Sequence, residues 1–170
     1  TGQCSGVCWK GYYCPEATVN PRPCDEGTYL PVTGSASNAS CIPCFPGTFS
    51  AALGNPTACS PCPVGSYSAA LRSTSCTDCP KGGYCASTGV ASEAMAFTQC
   101  PAGTYNPDRG SNSSDDCRSC PEGKANPVPG SESADVCEPC LPGTFAAEAG
   151  KASCDLCPAG KYAGPGAAAC

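Results

Sequence analysis

The stretch Cys44–Cys62, CFPGTFSAALGNPTACSPC, contains one complete repeat of this sequence. A cysteine opens it, a Pro-Gly-Thr-Phe segment follows, and a second glycine comes at Gly54. A Cys-x-x-Cys pair then closes this copy and opens the next. Two glycines at fixed offsets indicate two backbone positions with positive φ. The stretch therefore predicts a tight entry turn, a short extended segment and a return arm.

The same pattern recurs along the chain with a period of roughly 17 to 21 residues, which is typical of a repeat protein. In most copies the first glycine precedes Thr or Ser and then an aromatic residue. These first glycines are Gly27, Gly47, Gly65, Gly103, Gly143 and Gly160, with Lys161 after the last. The copy at Gly123 lacks the aromatic residue and has Ala125 there. A second glycine follows after seven residues, except that Arg72 and Ala167 are assigned to its place.

Cysteine is the unusual feature of the composition, with 19 residues in 170. Val, Leu, Ile and Phe together make up only about a tenth of the chain. Ordering a chain costs roughly 1.5 kcal/mol per residue, and so small an apolar core cannot offset this cost. The cysteines are therefore the expected source of order, and they indicate an oxidising compartment. The net charge of −5 argues against nucleic acid as a partner.

We interpret each Cys-x-x-Cys as the end of one loop and the start of the next, so that consecutive cysteines pair. A disulfide around a loop of about 15 residues contributes roughly 3 kcal/mol in the chain-entropy interpretation. Cys4 remains unpaired and is expected to close a repeat that begins upstream of Thr1. The predicted pairs are Cys8–Cys14, Cys24–Cys41, Cys44–Cys59, Cys62–Cys76, Cys79–Cys85, Cys100–Cys117, Cys120–Cys137, Cys140–Cys154 and Cys157–Cys170.

Zinc is the alternative use of these cysteines, because two Cys-x-x-Cys pairs in series are typical of zinc sites. The sequence contains no histidine, and zinc sites built from successive pairs would leave four cysteines without a role. Those four are Cys14, Cys24, Cys85 and Cys100. We therefore predict disulfides and neither a metal nor a cofactor.

The two short loops divide the chain into super-modules. Residues 1–7 are the end of an upstream repeat, residues 8–78 contain one short and three full repeats, and residues 79–170 contain one short and four full repeats. A cysteine-free spacer follows each short loop, at 15–23 and at 86–99. The second spacer has room for one helical turn, although its length favours an irregular connection.

Two N-glycosylation sequons occur, at Asn38 and Asn112, both in a serine-rich return arm before a closing cysteine. We expect them to lie at matching places and to carry N-glycans. Asn55 is excluded because proline follows it.

Catalysis has little support, since the sequence offers no histidine for triads or metal dyads, and we predict that the chain is not an enzyme. The acidic pairs Asp25-Glu26 and Asp115-Asp116 are expected to be solvated loop charges, with weak calcium binding as the alternative. Trp9, Tyr12 and Tyr13 form one aromatic cluster, for which we expect packing between repeats, with partner binding as the alternative.

The segment Cys100–Cys120, CPAGTYNPDRGSNSSDDCRSC, resembles the ephrin type-A/B receptor-like cysteine-rich repeat. Its single-disulfide loop also resembles the first module of TNF-receptor cysteine-rich domains, but the interlocked second module is absent. The resemblance implies a fold of small disulfide-rich repeats: an elongated rod of tandem hairpin-like loop modules with little regular secondary structure and only short β-strands.

Long arrays of such repeats are familiar in surface proteins of algae and other protists, including the subunits of mastigonemes, the hairs of flagella. The resemblance therefore implies a structural segment of an extracellular filament or stalk protein at the cell or flagellar surface, giving length, stiffness and lateral packing. Further copies of the same chain are the expected partners, and any membrane attachment is expected outside this segment. The alternative is a ligand-binding ectodomain of a receptor or adhesin.

Overall fold

The structure is a computed structural model that describes residues 6–170, so the unpaired Cys4 and most of the predicted upstream repeat 1–7 lie outside the described residues. Within this range the regular structure consists of two-stranded antiparallel sheets of very short strands. The strands are β1 Tyr12–Tyr13, β2 Arg22–Pro23, β3 Thr28–Tyr29, β4 Ile42–Pro43, β5 Thr48–Phe49, β6 Ser60–Pro61, β7 Ser66–Tyr67, β8 Thr77–Asp78, β9 Gly83–Cys85, β10 Phe97–Gln99, β11 Thr104–Tyr105, β12 Arg118–Ser119, β13 Lys124–Ala125, β14 Glu138–Pro139, β15 Thr144–Phe145 and β16 Asp155–Leu156. The prediction of small disulfide-rich modules with only short strands is confirmed.

Each full module starts with a tight turn at its first glycine. In the module opened by Cys24, Gly27 has a φ of 73°. The backbone N–H and the side-chain hydroxyl of Thr28 both donate to the carbonyl oxygen of Asp25, at 3.2 and 2.6 Å. A glycine with positive φ at the third position of such a turn is the type II arrangement. The turn directs Thr28–Tyr29 into the strand that pairs with Ile42–Pro43, the two residues between the closing and the next opening cysteine.

Three return arms end in a single turn of 3-10 helix immediately before the closing cysteine. These turns are Asn38–Ser40, Ser114–Asp116 and Ala134–Val136. A serine caps each of them by accepting a hydrogen bond from the backbone, as serine commonly does at helix N-termini.

The disulfides of the described residues join consecutive cysteines and close each module separately. The cysteines that open the modules from Cys8 to Cys140 are buried, whereas most closing cysteines are partly exposed. The nine pairs are Cys8–Cys14, Cys24–Cys41, Cys44–Cys59, Cys62–Cys76, Cys79–Cys85, Cys100–Cys117, Cys120–Cys137, Cys140–Cys154 and Cys157–Cys170.

The two cysteine-free segments, which the sequence suggested were spacers, are the return arms of the short modules. Cys85 lies opposite Phe97 in the β9–β10 pair, so Phe97 stands where a full module has its closing cysteine. Gly89 follows Gly82 by seven residues and has a φ of 66°, like the second glycine of a full module. In the short module the opening cysteine therefore pairs with Cys85 in the first strand and not with a residue at the end of the return arm, while the backbone follows the same path as in a full module. A single helical turn, Glu93–Ala96, lies in this arm.

The second-glycine position requires a positive φ even where glycine is absent. Arg72 takes it with a φ of 61°, as predicted from its place in the repeat. The assignment of Ala167 to this position is wrong, because Gly166 has the φ of 69° and donates its N–H to Cys140. The last module is thus one residue shorter before its second bend.

Within each compact unit, a ladder of backbone hydrogen bonds joins successive modules. Four bonds recur. The first glycine and the third residue after it donate to carbonyl groups of the following module. The opening cysteine of that following module donates back to the first glycine, and its second glycine donates back to the opening cysteine of the earlier module. Between the modules opened by Cys24 and Cys44 these bonds run from Gly27 to Ser50 at 2.8 Å, from Leu30 to Asn55 at 2.9 Å, from Cys44 to Gly27 at 2.8 Å and from Gly54 to Cys24 at 2.8 Å. Such bonds satisfy backbone groups that a chain with few strands would otherwise leave unpaired.

The first glycines also contact the module after next. A Cβ atom on Gly103 would overlap the backbone carbonyl of Gly150, two modules later, and the same relation holds between Gly82 and Gly130. Each of these glycines thus lies beneath a second glycine, which leaves no space for a side chain. The modules therefore interlock beyond their immediate neighbours.

Each compact unit buries a column of residues, each the third residue after a first glycine. Leu30 is 1% exposed, and Ser50, Ser68, Asn106 and Asn126 are also buried at this position. The polar members are satisfied locally: the amide nitrogen of Asn106 donates to the carbonyl of Gly83 in the preceding module at 2.9 Å and to the hydroxyl of Ser111 at 2.8 Å. Because buried amides are costly when unpaired, these bonds permit a polar core.

The described chain forms two compact units. One comprises the described residues up to Thr77 together with Ser87–Met95, and the other comprises Asp78–Ala86 together with Ala96–Cys170. Ser87–Met95 joins the first unit because Gly89 donates its N–H to Cys62 at 2.8 Å and Ser68 donates to Val90 at 3.1 Å. The division into super-modules 8–78 and 79–170 places this segment in the second.

Candidate glycosylation sites and surface features

Both sequon asparagines are exposed and lie in return arms, but not at the same place in the module. Asn38 is the first residue of its 3-10 turn, three residues before the closing cysteine. Asn112 lies two positions earlier in its own arm, and its N–H donates to the carboxylate of Asp116 at 3.0 Å. The structure therefore leaves both side chains accessible, and it corrects the expectation that they occupy matching places.

One side chain of each acidic pair, that of Asp25 or of Asp116, has a partner in the structure. Asp116 also accepts from the N–H of Ser113 at 3.1 Å, which completes a capping box at the turn. Asp25 lies 3.5 Å from the guanidinium of Arg72, two modules later, and both side chains are exposed. Within residues 6–170, no three His, Cys, Asp or Glu side chains are grouped as potential metal ligands.

The aromatic cluster is only partly assembled. Trp9 and Tyr12 meet edge to face, with ring centroids 6.1 Å apart and an interplanar angle of 84°. The ring of Tyr12 covers Gly54 of the module after next, so it packs between modules as expected. Tyr13 pairs with Arg22 across β1 and β2, and Trp9 remains 66% exposed.

Other surface ion pairs are also exposed. Arg118 lies 2.5 Å from Asp108, and Lys151 lies 2.7 Å from Asp155. The hydrogen bond that Lys151 donates to Asp155, together with the charge of this carboxylate, raises the pKa of Lys151 above its ordinary value. Exposed pairs of this kind contribute little to stability.

Large apolar side chains remain exposed on several modules at recurring positions. Leu53 and Leu71 each come immediately before the second-glycine position, and Phe45 and Leu141 each follow an opening cysteine. The turns that hold these side chains are fixed by the disulfides and the backbone ladder. They present apolar groups at positions that recur between modules.

Serial one-disulfide loops, linked within each compact unit by backbone hydrogen bonds, define a tandem cysteine-rich repeat protein. The chain belongs to the family described as tyrosine-protein kinase ephrin type A/B receptor-like, whose profile matches residues 47–96 and 134–169, just over half of the chain. No curated protein matches the sequence. The disulfides and the family together indicate an extracellular module, and the family is not an enzymatic one.

Among the described residues, no helix has both the length and the apolar character needed to cross a bilayer.

Proposed function

We propose that the chain is a structural segment of an extracellular filament or stalk protein, similar to a mastigoneme subunit at a flagellar surface. In this role the repeats supply length and stiffness, and exposed side chains on successive modules supply lateral contacts with further copies of the chain. N-glycans at Asn38 and Asn112 would cover the return arms that carry them.

The observation that carries this proposal is the interlocking of modules within each compact unit. Each module is hydrogen-bonded to the next, and first glycines such as Gly27 lie against the module after next. Bending between two modules would therefore disturb contacts to a third. Stiffness of this kind suits a load-bearing or spacing role better than a flexible linker does.

The second support is the repetition of exposed apolar residues, such as Leu53 and Leu71 in consecutive modules. Weak contacts that repeat along two chains act together, so that total affinity exceeds that of any single contact. Lateral association thus follows from the repeat without a large interface on any module.

Electron microscopy of native material tests the proposal. Ordered filaments in which an antibody to this segment labels at regular intervals are expected. In parallel, sedimentation of the purified segment should show concentration-dependent association that Leu53→Ser combined with Leu71→Ser weakens. Val32→Ser combined with Leu156→Ser, which removes two exposed apolar side chains that do not share one position in the repeat, provides the control.

The receptor-like family favours the alternative, a ligand-binding ectodomain. Isolated monomeric rods tethered to a membrane, together with a purified segment that stays monomeric at all concentrations, would refute the filament role and support this alternative.

A further inference from the structure

A recess of about 290 Å³ opens in the second compact unit where one module lacks its aromatic residue. The second residue after the first glycine is Tyr or Phe in the other eight modules of the described chain, including the two short ones, but it is Ala125 here. Apolar groups dominate the walls, which include Ala125, Pro127, Pro139, Leu141, Thr144 and Ala152.

Tyr67, at the equivalent position of another module, shows what normally fills this space. Its hydroxyl donates to the carboxylate of Glu93 at 3.2 Å, and Glu93 lies in the return arm of the following module. Ser153 and Cys154, at the end of the return arm of the module that follows Ala125, line the recess together with Ala125 itself. The recess therefore lies where the missing phenol ring would extend.

The chemistry of the recess matches a ring that carries a hydrogen-bond donor. Glu138 lines it, is exposed and lies directly across the strand pair from Ala125. Leu141, 74% exposed, forms an apolar wall. Tyrosine combines a flat apolar body with a polar tip, which suits a site of this kind.

We propose that this recess binds a tyrosine side chain presented by a partner protein. The bound ring takes the place that the repeat's own aromatic residue holds in the other modules, and its hydroxyl donates to Glu138. The proposed site does not depend on the filament role, because the same residues would bind the ring in a structural protein and in a receptor.

The test is an NMR titration of the ¹⁵N-labelled, oxidised chain with N-acetyl-tyrosinamide. Saturable shifts are expected at the amides of Ala125, Leu141 and Thr144. Ala125→Phe restores the repeat pattern and fills the recess, so it should weaken binding by about tenfold or more. Val32→Phe adds the same ring to an exposed site in the first compact unit, and this variant should bind N-acetyl-tyrosinamide as tightly as the wild type does.

Two further measurements test the site without the Ala125→Phe variant. Glu138→Gln, at an exposed strand position, should weaken the tyrosine probe several-fold while leaving the spectrum otherwise unchanged. N-acetyl-leucinamide should bind the wild type more weakly than the tyrosine probe does. Absence of saturable shifts, equal binding of the two probes, or shifts that persist in folded Ala125→Phe would overturn the proposal.

Discussion

The backbone carbonyl oxygen of Arg72 lies directly over Gly27, two modules earlier, so closely that a Cβ atom on Gly27 would overlap it. Arg72 has the positive φ that a glycine adopts at this position in most of the other modules. The pair shows that the first position needs glycine because no side chain fits there, in addition to its positive φ. The second position needs a positive φ but can hold a side chain.

Replacing a covered first glycine should cost more than replacing an open one. Gly103 has the carbonyl of Gly150 over it, whereas no atom lies within 4 Å of a Cβ on Gly143. Alanine at either site meets the left-handed backbone penalty of about 1–2 kcal/mol. Gly103→Ala must also displace backbone, which adds roughly 1–3 kcal/mol. Denaturant unfolding without reductant measures both, and equal losses would contradict the stacking.

Arg72→Gly should stabilise the chain by about 0.5–1 kcal/mol, because it relieves an arginine held at positive φ. The exposed contact with Asp25 at 3.5 Å offsets little of this. Thermal unfolding of the oxidised protein measures the gain. Asp25→Asn is the control, because it removes the ion pair and leaves Arg72 at positive φ. If Arg72→Gly destabilises the protein and Asp25→Asn does so to the same extent, the ion pair decides the position and the strain argument is wrong.

Asn126→Asp should destabilise the fold by about 3 kcal/mol at neutral pH, because the buried amide donates to Thr104, Val128 and Ser131 and a carboxylate cannot donate. Burial raises the pKa of the new carboxyl group above its unfolded value of about 4, so the loss should shrink as the pH falls through this raised pKa and level off below about 4.

Asn126→Ser is the matched control, since serine occupies the same position at Ser50 and Ser68. It should cost only about 1 kcal/mol and show no such pH dependence. Denaturant titrations over a range of pH compare the two variants; a pH-independent loss in Asn126→Asp would mean that the site is solvated.

Non-reducing peptide mapping should recover separate loops, with Cys24–Cys41 and Cys44–Cys59 as distinct pairs and no zinc in elemental analysis. Full reduction should abolish the fold, since the small apolar core cannot order the chain. The Cys79–Cys85 bond should be among the last reduced, because both cysteines are fully buried.

An interlocked pattern, with Cys41 joined to Cys59 and Cys44 to Cys62, would contradict the assigned repeat phase. Retention of a near-native spectrum in strong reductant, without metal, would contradict the role of the disulfides.

Asn38 and Asn112 should carry N-glycans in native material, because both lie exposed in sequons. Mass spectrometry with and without enzymatic glycan removal measures their occupancy. Asn55, whose sequon contains proline, is the internal control and should be bare. Two unmodified sites in native protein would remove the glycoprotein prediction.

The repeat period and the first glycines could be predicted from the sequence because cysteine marks the period and glycine marks the turn, and few other residues can take either place. The return arms of the short modules could not, since the cysteine that marks their end is absent and Phe97 takes its place. The signal that was missed is Gly89, seven residues after Gly82 like other second glycines.

The buried column was also missed, because its members share position rather than hydrophobicity. Leu30, Ser50 and Asn106 would not be grouped by any apolar pattern. Their common feature is a position at which neighbouring modules are hydrogen-bonded to each other. The contacts between modules two apart depend on three-dimensional packing that the repeat pattern does not encode. The recess beside Ala125 follows from the missing aromatic residue, which sequence identified, but its walls come from the next module.

The displaced disulfides of the short modules have a mechanical consequence. When a chain is pulled, each closed loop is bypassed by its sulfur–sulfur bond and cannot lengthen. No disulfide spans residues 86–99, so tension passes through that backbone directly. If its hydrogen bonds give way, this arm can extend to about 50 Å, at roughly 3.4 Å per residue. The shorter arm at residues 15–23 likewise lies between two closed loops. These two arms could thus lengthen under load and refold without the breaking of a covalent bond.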